Sequence, residues 1–231
     1  MTHMVDALNN GQTLQVATFE GGYDRNFCYL VWCPDTRTAA LVDAATPSSP
    51  IQDAIQEKGL SLKYVLITHT HGDHLAYLEE WLALEPELET AGHHRPARGD
   101  LPNYRGLPDG AAVELGRQRI VLLETPGHYP DCVCWYHEEG GLLFSGDTVF
   151  VNRTGRTIGP LSDTRQLYHS VYDRILTLPR ETVVYPGHNY GPAPSITLGE
   201  LKAISDFFSC ASAAQFEEVM ARFERSRQRG D

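Results

Sequence analysis

The run Thr68-His69-Thr70-His71-Gly72-Asp73-His74 puts three imidazoles and a carboxylate within six consecutive residues. Zinc and non-haem iron take these ligands readily and need no cysteine beside them. The residues before the run, Lys63 to Thr68, read as a buried strand, and those after it, Leu75 to Glu85, as an amphipathic helix with Leu75, Leu78 and Leu82 on one side. The ligands therefore sit on a strand-to-helix turn at the carboxyl end of a strand, where open α/β sheets commonly place their chemistry. Three later segments end in the same way. Arg119 to Glu124 runs into Thr125-Pro126-Gly127-His128, Gly141 to Phe144 into Ser145-Gly146-Asp147-Thr148, and Thr182 to Tyr185 into Pro186-Gly187-His188. In each a short β-rich segment stops at a tight turn with one more His or Asp, and glycine lets the backbone bend. Four strands thus deliver His69, His71, Asp73, His74, His128, Asp147 and His188 to one prospective sheet edge. Without a metal, such a gathering of polar groups would be costly to bury and would repel itself when charged.

The HxHxDH run followed by these single His, Asp and His residues resembles the metallo-β-lactamase fold superfamily, from about Phe27 to about Gly199. Thr-Pro-Gly-His at 125–128, Gly-Asp-Thr at 146–148, Gly155-Arg156-Thr157, Leu167-Tyr168-His169-Ser170 and Tyr-Pro-Gly-His-Asn-Tyr at 185–190 are similar to its glyoxalase II (hydroxyacylglutathione hydrolase) and persulfide dioxygenase branch. The resemblance implies an α/β fold, a four-layer αββα sandwich with mixed sheets in two similar halves and the metal site at one edge of both sheets. Residues 1–231 would form a single domain with a short helical extension at about 199–231.

Two chemistries follow from the resemblance. In the first, His69, His71 and His128 hold one divalent metal, Asp73, His74 and His188 hold a second, and Asp147 bridges them. Zinc, iron or manganese suits such ligands. A metal-bound hydroxide would then cleave the thioester or ester of a small thiol, and no Ser, Cys or Lys nucleophile is needed. In the second, one Fe(II) sits on His69, His128 and Asp147 and the site oxidises glutathione persulfide. His71, Asp73, His74 and His188 would then orient the site. The expected function is the glyoxalase II-like hydrolase, with the dioxygenase as the alternative and a non-catalytic metal-binding module as a third reading. The β-lactamases of the superfamily generally carry Cys or Ser after the Gly146 position or lack the Asp of HxHxDH, whereas this chain keeps both carboxylates. Asp73, Arg156 and Tyr190 are the candidates to act in the chemical step. Arg156 either meets a substrate carboxylate or pins its loop to an acid. Tyr190 either donates a hydrogen bond to substrate or packs.

Neither template fits fully. The dioxygenases usually read Gly-Cys-Gly-Arg-Thr-Asp-Phe where this chain has Arg153-Thr154-Gly155-Arg156-Thr157-Ile158-Gly159. Glyoxalase II enzymes usually append a larger helical domain, for which the residues after Gly199 leave little room. The short tail, Leu167 to Ser170 and Phe216 to Met220 look more like the dioxygenases.

The net charge of −11 argues against a nucleic-acid partner. No apolar run reaches the length of a membrane span. The first residues lack the basic and apolar regions of a signal peptide, and the odd set of five cysteines suits reduced thiols. A cytoplasmic protein is expected, with a small thiol-derived substrate such as a glutathione conjugate, and a homodimer is allowed. Cys132 and Cys134 are read as packing residues. His3, His137 and His169 receive no role, and His93-His94 is read as exposed within a long irregular stretch, Gly92 to Gly110. Helices are expected over Thr164 to Leu178 and from Leu198 to about Arg227, with a frayed end.

Overall fold

The computed structural model describes residues 2–5 and 13–229. Its first sheet has seven strands in chain order: β1 (His3–Val5), β2 (Gln15–Gly21), β3 (Asn26–Trp32), β4 (Thr38–Val42), β5 (Ser61–Leu66), β6 (Glu89–His93) and β7 (Tyr104–Leu107). The second contains β8 (Ala112–Leu115), β9 (Gln118–Glu124), β10 (Val133–His137), β11 (Leu142–Gly146), β14 (Val183–Pro186) and β15 (Ile196–Thr197), in the order β15-β14-β11-β10-β9-β8. A small hairpin, β12 (Val149–Phe150) and β13 (Arg153–Thr154), projects beside the site. Both sheets are mixed. β4 to β7 run parallel, as do β11 and β14, and the other pairs are antiparallel.

Period-two alternation builds the layers. Along β3, Phe27, Tyr29 and Val31 pack between the sheets with Leu122, Trp135, Phe144 and Tyr185. Cys28, Leu30 and Trp32 point the other way, onto Ile51 of helix α1 (Ser49–Lys58) and Trp81 of α2 (Leu78–Leu84). On the outer face of the second sheet, Cys134, Leu143 and Val184 pack on Leu167 of α3 (Thr164–His169), Leu201 of α4 (Leu198–Ile204) and Phe216 of α5 (Ala213–Arg229). The result is the four-layer αββα sandwich. Cys132 and Cys134 are buried free thiols, and burial pushes both up, Cys134 to about 11, as inert packing groups require.

Several element boundaries differ from the sequence reading. The helix expected from Leu75 begins only at Leu78, because the chain around His74 is tied sideways: Ala44 N–H donates to the His74 carbonyl and Tyr77 N–H to that of Ala44. Part of the stretch from Gly92 to Gly110 is the edge strand β7, held by a 2.6 Å hydrogen bond from the Tyr104 hydroxyl to the His93 carbonyl. The span 164–177 is helical, but it widens to a π turn over Ser170–Arg174, where the Ser170 hydroxyl donates to the Pro126 carbonyl at 2.6 Å, and Leu178 ends it in an extended conformation. The expected long last helix is two. Ser205 adopts an extended backbone, its hydroxyl donating to Asn152 and accepting from Phe207 N–H, and so ends α4. α5 continues to Arg229 in place of the expected fraying, and residues 230–231 of that tail lie outside the described residues.

Candidate metal centre

The four strand ends converge. β5 leads into His69, His71, Asp73 and His74, β9 into His128, β11 into Asp147 and β14 into His188. Two glycines allow the approach. Gly146 has a φ of +48°, and a Cβ there would lie 2.5 Å from the Thr68 hydroxyl. A Cβ on Gly187 would collide with Asp147 Oδ1 and lie 2.7 Å from Cε1 of His74.

Three overlapping groups have their ligating atoms within 4.8 Å of one another: His69, His71, His128; His69, His74, Asp147; and Asp73, His74, His188. Asp147 stands between the two outer groups. Its Oδ2 is 3.5 Å from His128 Nε2, and its Oδ1 is 3.2 and 3.4 Å from Nε2 of His74 and His188. All seven residues named from the sequence are brought together.

Four of the five rings are held from behind. Nδ1 of His74 donates to Asp43 at 2.7 Å, Nδ1 of His128 to the Arg156 carbonyl at 2.7 Å, and Nδ1 of His188 to the Asp24 carbonyl at 2.8 Å. His69 Nδ1 is 3.2 Å from the Thr68 hydroxyl, which itself donates to Asp43. These bonds fix the ring orientations and aim the Nε2 atoms inward. Nε2 of His69 and of His128 then face His71 Nδ1 at 3.0 and 3.1 Å. That nitrogen carries at most one proton and cannot serve both. Asp147 Oδ1 is likewise buried and accepts no well-aligned hydrogen bond. Converging lone pairs beside an orphaned carboxylate oxygen fit divalent cations.

Charge balance says the same. Burial opposes ionisation of Asp147, yet His188 and His74 beside it hold its carboxyl well below the usual range. Asp73 behaves alike: burial is outweighed by the His188 hydrogen bond and by His74, and its Oδ2 also accepts from Asn26 at 2.8 Å. Burial should depress His74 and His188, but Asp147 and the neighbouring carboxylates overcome it, raising His74 and lifting His188 to about 9. His69 and His71 are lowered, by burial first and then by neighbouring imidazoles. The metal-free site therefore keeps protons on His74 and His188 at neutral pH. Metal must displace them, so loading at pH 7 is expected to release about two protons per chain. Apparent affinity should rise with pH until His188 has given up its proton near 9. Binding heats compared across buffers of different ionisation enthalpy check the release.

A cavity of about 280 Å³ opens over the centre, lined by Asp24, Phe150, Arg153, Tyr190 and Arg227 as well as by site residues. Arg156 reaches its edge, but its guanidinium forms a two-pronged pair with Glu224 of α5 at 2.7 and 2.8 Å. The Tyr190 ring stacks on His188 with 4.7 Å between centroids, and its hydroxyl donates to Asp24 at 2.5 Å. His137 is a satisfied core histidine between Thr13 and the Arg119 carbonyl, and exposed His169 pairs with Asp173. His94 is exposed, whereas His93 is half-buried, and both rings contact Glu124, making a separate small cluster.

Sequence reasoning missed the carboxylates behind the ligands. Asp43 accepts from Thr68 N–H and hydroxyl, each at 2.8 Å, as well as from His74. Asp131 accepts from the Thr70 hydroxyl at 2.5 Å and from Ala97 N–H at 2.7 Å, and so ties the 92–110 stretch to the ligand turn. Asp43 follows directly on β4, and a carboxylate at a strand end is the one local signal that could have marked it; its φ of +57° is visible only in the structure.

A four-layer sandwich with an HxHxDH turn and single ligands from three more strand ends defines a class, and the family model agrees. The chain belongs to the metallo-β-lactamase superfamily, whose model matches residues 21–188. The human mitochondrial persulfide dioxygenase ETHE1 is 30% identical over 197 residues, covering 84% of this chain and 75% of that protein. A probable hydroxyacylglutathione hydrolase, glo2, of Schizosaccharomyces pombe is 32% identical over 174 residues, 73% of this chain and 66% of the yeast protein, just under two thirds of its length. The crystal structure of ETHE1 from Myxococcus xanthus matches with a TM-score of 0.78 at 26% identity, covering 90% of this chain and 91% of that one. The relatives are thus enzymes named for two different reactions at nearly equal identity. Among the described residues, no helix is long and apolar enough to cross a membrane.

Proposed function

We propose that the chain is a metal-dependent hydrolase of the glyoxalase II kind that cleaves a thioester of a small thiol. One observation carries this reading: there are two ligand triads, and one oxygen of Asp147 faces each. His69, His71 and His128 would hold one divalent cation, Asp73, His74 and His188 the other, with Asp147 shared; zinc, iron or manganese suits these donors. When bound, such ions bring the ionisation of water to near neutral pH and draw charge from a carbonyl oxygen. The protein's own part is placement. Asp43 and the Asp24 carbonyl keep His74 and His188 from rotating, Asn26 fixes Asp73, and Tyr190 braces the His188 ring. A thiolate is a good enough leaving group to need little help from an acid. The glutathione named in the yeast relative makes a glutathione thioester the first substrate to try. All 231 residues are taken as one unit, with α4 and α5 as its helical extension.

The dioxygenase reading has its own support in the near-complete mutual coverage with the Myxococcus xanthus structure. It would use His69, His128 and Asp147 for one Fe(II). The two readings part in a single pair of assays. Protein loaded anaerobically with Fe(II) is given glutathione persulfide under oxygen, and zinc- or iron-loaded protein is given S-lactoylglutathione. We expect thiol release from the thioester and no oxygen uptake. Rapid uptake that needs both iron and persulfide, with no thioester cleavage, would replace the hydrolase with the dioxygenase.

A further inference from the structure

Arg153 stands on β13 where the dioxygenase pattern has glycine, and its side chain reaches into the cavity over the metal centre. Its guanidinium lies 4.3 Å from the centre of the Tyr190 ring, 4.6 Å from that of Phe150 and 5.4 Å from that of Phe223. Among the described residues its one hydrogen bond runs from Nη1 to the Thr154 carbonyl at 3.1 Å, and no carboxylate lies within ion-pair distance. The contrast with Arg156 on the same loop is direct, since Glu224 occupies both prongs of that guanidinium. Aromatic faces hold a cation in place without neutralising it. The planar fork is thereby pre-set, with donors left over for a partner of carboxylate shape. The carboxylates nearest the cavity have other engagements. Asp24 accepts from Tyr190, and Asp73 and Asp147 face the imidazoles, where two bound cations would cancel their charge. Exposed Arg227, also on the cavity wall, adds a second positive charge and no acid.

We infer that Arg153 is the substrate-selecting residue of this site, the seat for a carboxylate carried close to the reacting sulfur or carbonyl of a compact substrate. The inference rests on the proposed metal centre and not on which of the two reactions occurs there. The step from Arg153 to the ligands is short. Its guanidinium covers the Tyr190 ring, and that ring is stacked on His188, 6° from parallel. The cavity, about 280 Å³, is at the small end for ligand sites, so the charged group and the reacting group must lie near one another. Substrates therefore fall in the class of thiol acids and their acyl or sulfur derivatives, with the anion on the part that enters the cavity.

Two thiols of similar size separate this from mere attraction to the metals. Mercaptoacetate carries a carboxylate and 2-mercaptoethanol a hydroxyl, and both can offer a thiolate. Titrated calorimetrically into metal-loaded protein, mercaptoacetate is expected to bind about tenfold or more tightly than mercaptoethanol, as one charge-assisted fork permits. In Arg153→Met that preference should shrink to about twofold, with metal content and mercaptoethanol affinity unchanged. Arg153→Gln, which keeps size and polarity, should lose the preference equally, and it decides the matter if the methionine variant loses metal. Equal binding of the two thiols by the parent protein, or an undiminished preference in a metal-replete variant, overturns the inference. A preference without thioester cleavage keeps it and discards the hydrolase; cleavage without the preference does the reverse.

Discussion

Asp147→Asn is expected to fold, to bind substoichiometric metal and to lose at least about a thousandfold in turnover. The residue is isosteric, so packing around Gly187 and Gly155 changes little, and the loss is one of charge. Asp147 is the carboxylate that lies between the two triads, with Oδ2 toward His128 and Oδ1 toward His74 and His188. Removing a group that only orients a ligand commonly costs 10–100-fold in metal affinity or activity, and a shared ligand should cost more, about 10³-fold. The amide would also turn a proton donor or a neutral oxygen toward imidazole lone pairs that a cation should face. In the metal-free protein the same change removes the main anion beside His188 and His74, so both should titrate lower than in the parent. Metal analysis after dialysis, activity at saturating added metal and the NMR titration of the histidines give three separate readouts. Full occupancy at both positions would show that Asp147 is not shared.

Much of this centre was legible before any coordinates because its ligands are local in sequence or sit at one repeated kind of place. A strand that ends in a glycine turn with His or Asp can be recognised one segment at a time, and β5, β9, β11 and β14 each follow that form. The αββα layering came through family likeness alone, since β3 is buried on both faces and shows no alternation of polarity. What escaped depends on contacts far apart in the chain. Asp43 serves Thr68 and His74 from 25 and 31 residues away, and nothing near Asp43 announces either partner. The sequence reading singled out Arg156 and gave Arg153 no role, and only the folded packing shows that Glu224 claims the first and aromatic rings surround the second. The breaks in helices were equally hidden. Ser205 fits a helical pattern by polarity, yet its hydroxyl bridges to Asn152, 53 residues earlier, and a helix cannot continue through that backbone. The edge strand β7 escaped for a different reason: its middle residues are exposed, so it carries no apolar alternation.

His188→Ala is expected to reduce bound metal by about one equivalent per chain and to abolish thioester cleavage. His188 belongs to the triad with Asp73 and His74 and takes no part in the triad of His69, His71 and His128. Its loss leaves two ligands and Asp147 at one position while the other keeps its three imidazoles, so occupancy should fall selectively. The cluster of His93, His94 and Glu124 lies apart from this change, and the quantity to follow is the difference between variant and parent. The fold should survive, because the main-chain ties here, Phe27 N–H to the Gly187 carbonyl and Asn189 N–H to that of Arg25, do not involve the ring. Tyr190 loses the ring it stacks on, which adds disorder at the cavity wall but removes no ligand. A two-metal hydrolase needs both positions to activate water and to steady the developing oxyanion, so one ion should not restore turnover even at excess. An iron dioxygenase would respond differently. With His69, His128 and Asp147 intact, it would keep its single iron and much of its oxygen uptake, since His188 would act only by orientation. Metal stoichiometry and both activities measured on this one variant therefore choose between the two reactions that the family carries.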